Sequence, residues 1–278
     1  MTLVLGLLAA VVWGSSDFVA GLTSRRTPAG VVLGWSLAVA AVLTSAAVLS
    51  AGPLPPGRWW LWGSLSGVVG TLGLCALYAG LAAGRMGVVA PVAACGVVVP
   101  VVVGLLGGDP VGALVVIGLL CAVVGIVLAS GPELRTGAKG ERAGLPVLLA
   151  LLAALGLGAS LVLVERGSHS SVLHTLWSLK VVGALVVLLG ALAVRRVGVP
   201  PRATLPGILL VGVADLGANV FYALAATRGP LSVVSVLASL YPVATVALAT
   251  LVLHERLRPV QGIGVVLALL GVVLLAAG

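Results

Sequence analysis

The chain has 278 residues, of which 61% are hydrophobic and only 8% charged, where an ordinary soluble domain carries about 25% charged residues. So few charges cannot cover a water-soluble fold of this size, and the 39 glycines with only 4% aromatics suit helices packed closely in lipid. The formal charge of +8, from 15 Lys+Arg against 7 Asp+Glu, is spread singly or in pairs between apolar runs, which excludes a basic nucleic-acid face.

An apolar helix needs about 20 residues to cross the hydrocarbon core. Breaks at charged or Pro/Gly-rich points divide the chain into ten such runs: 2–22, 29–51, 60–82, 87–106, 111–131, 144–164, 172–194, 205–226, 230–253 and 258–277. The runs are too long, and too poor in period-2 polarity, for membrane strands. The first has no Lys or Arg before Arg25, so it lacks the basic start of a cleavable signal peptide and is expected to stay as a helix. The longest polar connection is Gly131–Gly144, with Glu133, Arg135, Lys139, Glu141 and Arg142. It splits the chain into a first half of five spans (1–131), a loop (132–143) and a second half of five (144–278). The expected fold is therefore all-α and polytopic, ten transmembrane helices as two inverted five-helix repeats, because five crossings end a half on the side opposite its start.

The halves resemble each other in register. Ala9-Ala10-x-x-x-Gly14-x-Ser16 matches Ala153-Ala154-x-x-x-Gly158-x-Ser160, and Gly118-x6-Gly125 matches Gly264-x6-Gly271. Tyr78, Arg85 and Pro100 repeat as Tyr222, Arg228 and Pro242. Inverted repeats are a recurrent plan of secondary transporters, with substrate near the midplane and paired helix breaks at the site. Pro100 and Pro242 are the expected breaks, and hence hinges. Alternate loops carry unequal charge. One side holds Arg25, Arg26, Arg85, Arg135, Lys139, Arg142, Arg195, Arg196, Arg202, Arg256 and Arg258; the other holds only Arg58, Arg166 and Arg228. The positive-inside rule then puts the first set in the cytoplasm and both termini outside.

Trp13-Gly14-Ser15-Ser16-Asp17-Phe18 in the first span, Tyr241-Pro242 in the ninth, and His254-Glu255-Arg256-Leu257 with Gly264…Gly271 near the tenth are similar to the EamA-type members of the drug/metabolite transporter superfamily. The resemblance covers nearly the whole chain and rests on the order of features. It departs where Gly107-Gly108-Asp109-Pro110 replaces the Glu-Arg-Leu turn in the first half. It implies ten spans as five plus five, a first helix that lines a central cavity, and both termini inside, opposite to the charge count.

Ionisable groups inside the bilayer are functional candidates by default. Asp215 lies near the centre of its span, with Asn219 at i+4 and Tyr222 at i+7 on one helix face; the stripe lines a cavity or bonds two helices together. Lys180 lies within the seventh span and is expected to pair with Asp215 or Asp17, or to snorkel. Asp17, beside Ser16 and one turn after Trp13, either faces the cavity or is balanced by Arg25 and Arg26. Ser232, Ser235 and Ser239, followed by Tyr241, form a second polar wall, although membrane serines often satisfy their own helix. His174 and Trp177 read as interfacial or as substrate contacts. Glu165-Arg166 reads as an interfacial pair or, for Glu165, a proton-coupling group. Asp109-Pro110 has the form of a helix start, and Glu255 reads as structural. The expected substrate site comprises Trp13, Ser16, Asp17, Tyr78, Lys180, Asp215, Asn219, Tyr222, Ser235 and Tyr241. Cys75, Cys95 and Cys121 lie in apolar runs without metal or disulfide spacing and read as small packing residues.

These readings describe a secondary transporter, an exporter of a small polar or amphipathic solute, amino-acid-like or drug-like, working by alternating access. Its expected partners are that small-molecule substrate, the lipid bilayer and protons as coupling ion; no nucleic acid, metal or cofactor is expected, and the chain is a monomer or homodimer. No Walker loop is present for ATP-driven pumping. Two other classes stay open: a membrane-embedded enzyme acting on a lipid or isoprenoid, which lacks its catalytic spacings here, and a passive channel or assembly subunit. Ala/Gly/Val/Arg-heavy, Lys-poor usage points to a GC-rich bacterial genome and so to a plasma membrane.

Overall fold

The structure is a computed structural model and describes residues 1–83, 89, 92–109, 112–129, 144–195, 198–253 and 259–277. Among the described residues there are helices, turns and connections and no strand. The expectations placed on Arg85, Pro110, the 132–143 connection and the His254–Leu257 turn with Glu255 lie outside them.

The first three spans are α1 (Thr2–Ser24), α2 (Ala29–Ser50) and α3 (Trp59–Ala83). The fourth is described from Val92, passes a 3₁₀ turn at Cys95–Val97 and continues as α4 (Val98–Leu106). Next come α5 (Ala113–Ala129), α6 (Gly144–Ser168), α7 (Val172–Ala193) and α8 (Leu205–Ala226). The ninth span is two helices, α9 (Leu231–Ala238) and α10 (Tyr241–Leu253), and the tenth is α11 (Pro259–Ala277). Among the described residues seven segments are long and apolar enough to cross a membrane; Val92–Leu106, Ala113–Leu128 and Pro259–Leu275 are apolar but shorter. Every one falls on a run expected from the sequence.

Proline accounts for both broken spans. Pro100 and Pro242 lack the N–H that a helix would give to Gly96 and Ala238, four residues back. The chain therefore leaves α geometry one turn before each proline rather than at it. In the fourth span the 3₁₀ turn supplies a new donor to the Gly96 carbonyl.

Pairing of the elements has an internal regularity. Helix α3 packs on α6 and α7, α8 packs on α1 and α2, and α2 meets α7, α4 meets α9 and α5 meets α11. Exchanging the first span for the sixth, the second for the seventh and so on turns this set of pairs into itself. In lipid no water is expelled when helices meet, so close backbone approach and interhelical hydrogen bonds hold the bundle. The glycines supply the approach: a Cβ on Gly125 would stand 2.7 Å from Ala268 Cα, and one on Gly271 would stand 2.6 Å from Ala122 N. Likewise Gly6 lies against Leu237 and Gly14 against Tyr241 and Ala244, seating α1 on the ninth span. Cys75 and Cys95 are exposed on the bundle exterior instead of packed inside it, and Cys121 is half-buried.

Asp109 behaves differently from the expected helix start. Helix α4 ends in a Schellman turn: Gly108 N donates to Leu105 O (3.2 Å) and Asp109 N to Gly104 O (3.0 Å), with Gly108 at φ +90°, a conformation that glycine adopts without strain. The turn carries the Asp109 carboxylate onto the other half. There Oδ2 accepts from Ser232 N (2.8 Å) and Ser232 Oγ (2.7 Å), capping the first turn of α9. Asp109 thus ends one helix and caps a second, while α5 begins only at Ala113.

Candidate functional site

A cavity of about 770 Å³ runs into the bundle between α1, α2, α3, the fourth span, α6, α7, α8 and the ninth span. Its walls begin at Ser24, Arg25 and Ala29, at the ends of α1 and α2, and reach Trp13, Asp215, Asn219 and Tyr241 halfway along their spans. No described residue from the opposite helix ends, such as Thr2, Trp59 or Leu231, contributes to it. The chamber is open at the Arg25 end and closed short of the opposite one, its walls running past mid-span to Ser66 on α3 and Val164 on α6.

Asp215 is the hub of its inner end. Lys180 Nζ lies 2.5 Å from Asp215 Oδ2. Trp13 Nε1 donates to Asp215 Oδ1 at 3.1 Å, and Asn219 Nδ2 donates to the Asp215 carbonyl at 2.7 Å and to Oδ1 at 3.3 Å. The Lys180 side chain is 3% exposed and that of Asp215 31%. The ammonium is therefore sealed behind its partner, and the carboxylate faces the cavity. Of the three arrangements open to Lys180 from the sequence, the structure adopts the pair with Asp215. Asp17, on the next turn of α1 after Trp13, is exposed to the same cavity. Among the described residues it has no hydrogen bond or ion pair.

Trp13, Ser16, Asp17, Tyr78, Lys180, Asp215, Asn219 and Tyr241 all line the chamber. Tyr222 and Ser235 do not. Tyr222 is fully buried, and its hydroxyl donates to Leu161 O at 3.0 Å and shares a 3.2 Å contact with Ser235 Oγ. Its ring lies 5.9 Å from that of Trp13. Tyr222 and Ser235 thus form a floor joining α6, α8 and α9 just beyond the chamber. The serine face of the ninth span divides the same way: Ser232 binds Asp109, Ser235 binds Tyr222, and Ser239 alone reaches the wall. Pro100 is buried and, with Pro242, stands behind the wall next to lining residues Gly96, Val97, Ala238 and Ser239.

Sequence reasoning passed over Ser36, Ser66, Thr71 and Ser160, which also line the cavity. Ser66 and Ser160 join α3 to α6 through a 2.7 Å hydroxyl contact. The available signal was their company: Gly67, Gly70 and Gly158 stand beside them in the wall, small residues that bring helices close enough for hydroxyls to meet.

The other candidates lie elsewhere. His174 Nδ1 contacts Ser171 Oγ at 2.9 Å, and its ring is 5.2 Å from that of Trp59. Trp177 donates to Ser45 Oγ at 2.9 Å. Glu165 bonds His169 at 2.8 Å, and Arg166 lies over the Trp62 ring, 5.7 Å from its centre. Trp62, Asp109, Glu165, Arg166 and His169 border a second pocket of about 470 Å³, at the end of the bundle away from Arg25. Among the described residues no group of His, Cys, Asp or Glu is placed to hold a metal ion.

A polytopic helical bundle with charged and aromatic side chains gathered around a mid-span chamber is the architecture of a membrane transporter. The comparisons give the family: the EamA-like transporter family matches residues 1–131 and 144–277. The chain belongs to that family and is a multi-pass membrane transporter of the drug/metabolite type. No curated protein matches the sequence. A solved structure described as "Crystal structure of protein" superposes with a TM-score of 0.82 over 98% of this chain and 95% of its own length. At 17% identity that likeness shows the fold alone.

Proposed function

We propose that the protein is a secondary transporter that moves a small polar or amphipathic metabolite by alternating access, with the substrate held at the inner end of the chamber between Trp13, Asp17, Tyr78, Asp215, Asn219 and Tyr241. The observation that carries the reading is the one-ended cavity with ionisable groups at its inner end. A carboxylate in mid-membrane costs several kcal/mol unless paired or hydrated, and among the described residues Asp17 has no partner there. The volume suits a drug-sized solute, since ligand pockets run from about 300 to 1,000 Å³. A dead end favours a carrier over a channel, whose polar rings would continue through the bundle.

The regular pairing of spans, together with the two-part family match, supports reading 1–131 and 144–278 as inverted five-helix repeats that rock about the chamber. The chamber opens at the end bearing Arg25. By the positive-inside count this is the cytoplasmic side of a bacterial plasma membrane, the side from which an exported solute would load. Proton coupling through Asp17 completes the reading.

The test is solute counterflow in proteoliposomes of the purified full chain, followed with a panel of labelled amino acids and amines. Saturable flux, accelerated by substrate on the opposite side, is expected. Conductance without saturation would overturn the carrier reading. A reporter fused to either terminus fixes the orientation in the same preparation.

A further inference from the structure

Resting on the transport reading, we infer that the chamber selects a monovalent organic cation, an ammonium attached to an apolar or aromatic body, and discriminates against zwitterions and anions. The inference comes from which polar groups are already committed. Lys180 is sealed behind Asp215, with 3% of its side chain exposed, and is withheld from any solute. The Trp13 indole N–H and the Asn219 amide both donate to Asp215. The Ser16 hydroxyl is taken by the carbonyl of Val211 at 3.3 Å. The donors nearest the inner end on α1, α7 and α8 are thus spent on the protein itself.

What is left over on α1, α7 and α8 accepts, and the Tyr78, Tyr241 and Ser239 hydroxyls on the other walls can accept as well as donate. Asp17 is exposed to the cavity without a partner among the described residues, while Lys180 is paired with Asp215. Trp13, Tyr78 and Tyr241 line the same space, and aromatic faces attract cations through their quadrupoles. An ammonium with an apolar body meets each of these needs.

A zwitterion meets a mismatch. In an α-amino acid the carboxylate lies within about 4 Å of the ammonium. With the ammonium on Asp17, the carboxylate would rest among Asp17, Asp215 and aromatic rings. Among the described residues the next cation lining the chamber is Arg25, eight residues along α1 and therefore about 12 Å away along its axis. A second carboxylate at the inner end without a counter-charge is repelled at the low effective dielectric of such a site.

Three probes with one body and different charge test the inference: 2-phenylethylammonium, phenylalanine and 3-phenylpropionate, measured by calorimetric binding to the purified full chain in lipid nanodiscs and by counterflow in proteoliposomes. The ammonium is expected to bind at least about tenfold more tightly than either of the others. Asp17→Asn is expected to remove that preference, and Asp17→Glu to recover part of it, with both variants monodisperse because Asp17 bonds no other element among the described residues. Preference for phenylalanine or 3-phenylpropionate overturns the inference, as does an absence of ammonium binding or an ammonium affinity unchanged in Asp17→Asn. Saturable counterflow of phenylalanine would then leave the transport reading standing. Tight binding of the ammonium without counterflow of any probe would keep the cation site and overturn transport.

Discussion

Replacing Asp215 with Asn would strip Lys180 of its partner while leaving the ammonium in place. That side chain is 3% exposed, so water cannot substitute for the carboxylate, and removing one partner of a buried pair costs about 3–5 kcal/mol. The reverse change is gentler. Lys180→Met leaves Asp215 with 31% of its side chain facing the cavity and with the Trp13 and Asn219 donors still in place. The loss is then one charge-assisted hydrogen bond partly offset by hydration, about 1–2 kcal/mol. In the double variant Lys180→Met with Asp215→Asn both sites are neutral, so it should be more stable than Asp215→Asn alone, with a coupling of about 2 kcal/mol. The assay is reversible denaturation of the four proteins in bicelles, followed by tryptophan fluorescence. Two results would refute the reasoning: equal losses for the single variants, or additivity within about 0.5 kcal/mol.

Other outcomes follow from the same geometry. Tyr222→Phe removes the hydroxyl that joins Leu161 and Ser235 and should cost about 1–3 kcal/mol in the same denaturation, with no direct loss of ligand affinity because the residue is off the cavity. Asp109→Ala uncaps α9 and should cost about 1–2 kcal/mol; an unchanged unfolding curve would show that the cap carries no energy. Gly125→Val would drive a branched side chain into the Ala268 backbone and should reduce folded yield sharply, whereas Gly217→Ala, with open space around its Cβ, should stay within about 0.5 kcal/mol of the parent. Cys75 and Cys95, exposed on the exterior, should react with a lipid-soluble maleimide in membranes and tolerate exchange to Ala.

The spans were legible because each is a run of apolar residues cut by charge or proline, and solvation by lipid enforces that pattern locally. The depth of a site along a helix was not. Asp215, Asn219 and Tyr222 share a face, as the 3.6-residue period requires, yet Tyr222 stands about 10 Å further along the axis than Asp215. There the chamber has ended and its floor begins. The same reasoning separates Ser239 from Ser235 and Ser232. Periodicity gives direction around a helix, whereas the level at which neighbouring helices part to leave a cavity depends on contacts between distant segments, such as those at Gly67, Gly96 and Gly158. The Lys180 partner was open for a related reason: two carboxylates were within reach, and only the placement of α7 against α8 decides which one Lys180 meets.

The one-ended chamber also has an electrical consequence. Water entering from the Arg25 end carries the potential of that compartment to mid-span, so the membrane voltage does not fall evenly across the bilayer. It falls across the closed remainder, from the level of Trp13 and Asp215 past the Tyr222 floor to the far surface. A singly charged solute therefore reaches its site almost without crossing the field. It then meets nearly the full drop, about 2.3 kcal/mol per 100 mV, in the one conformational step that exchanges floor for mouth.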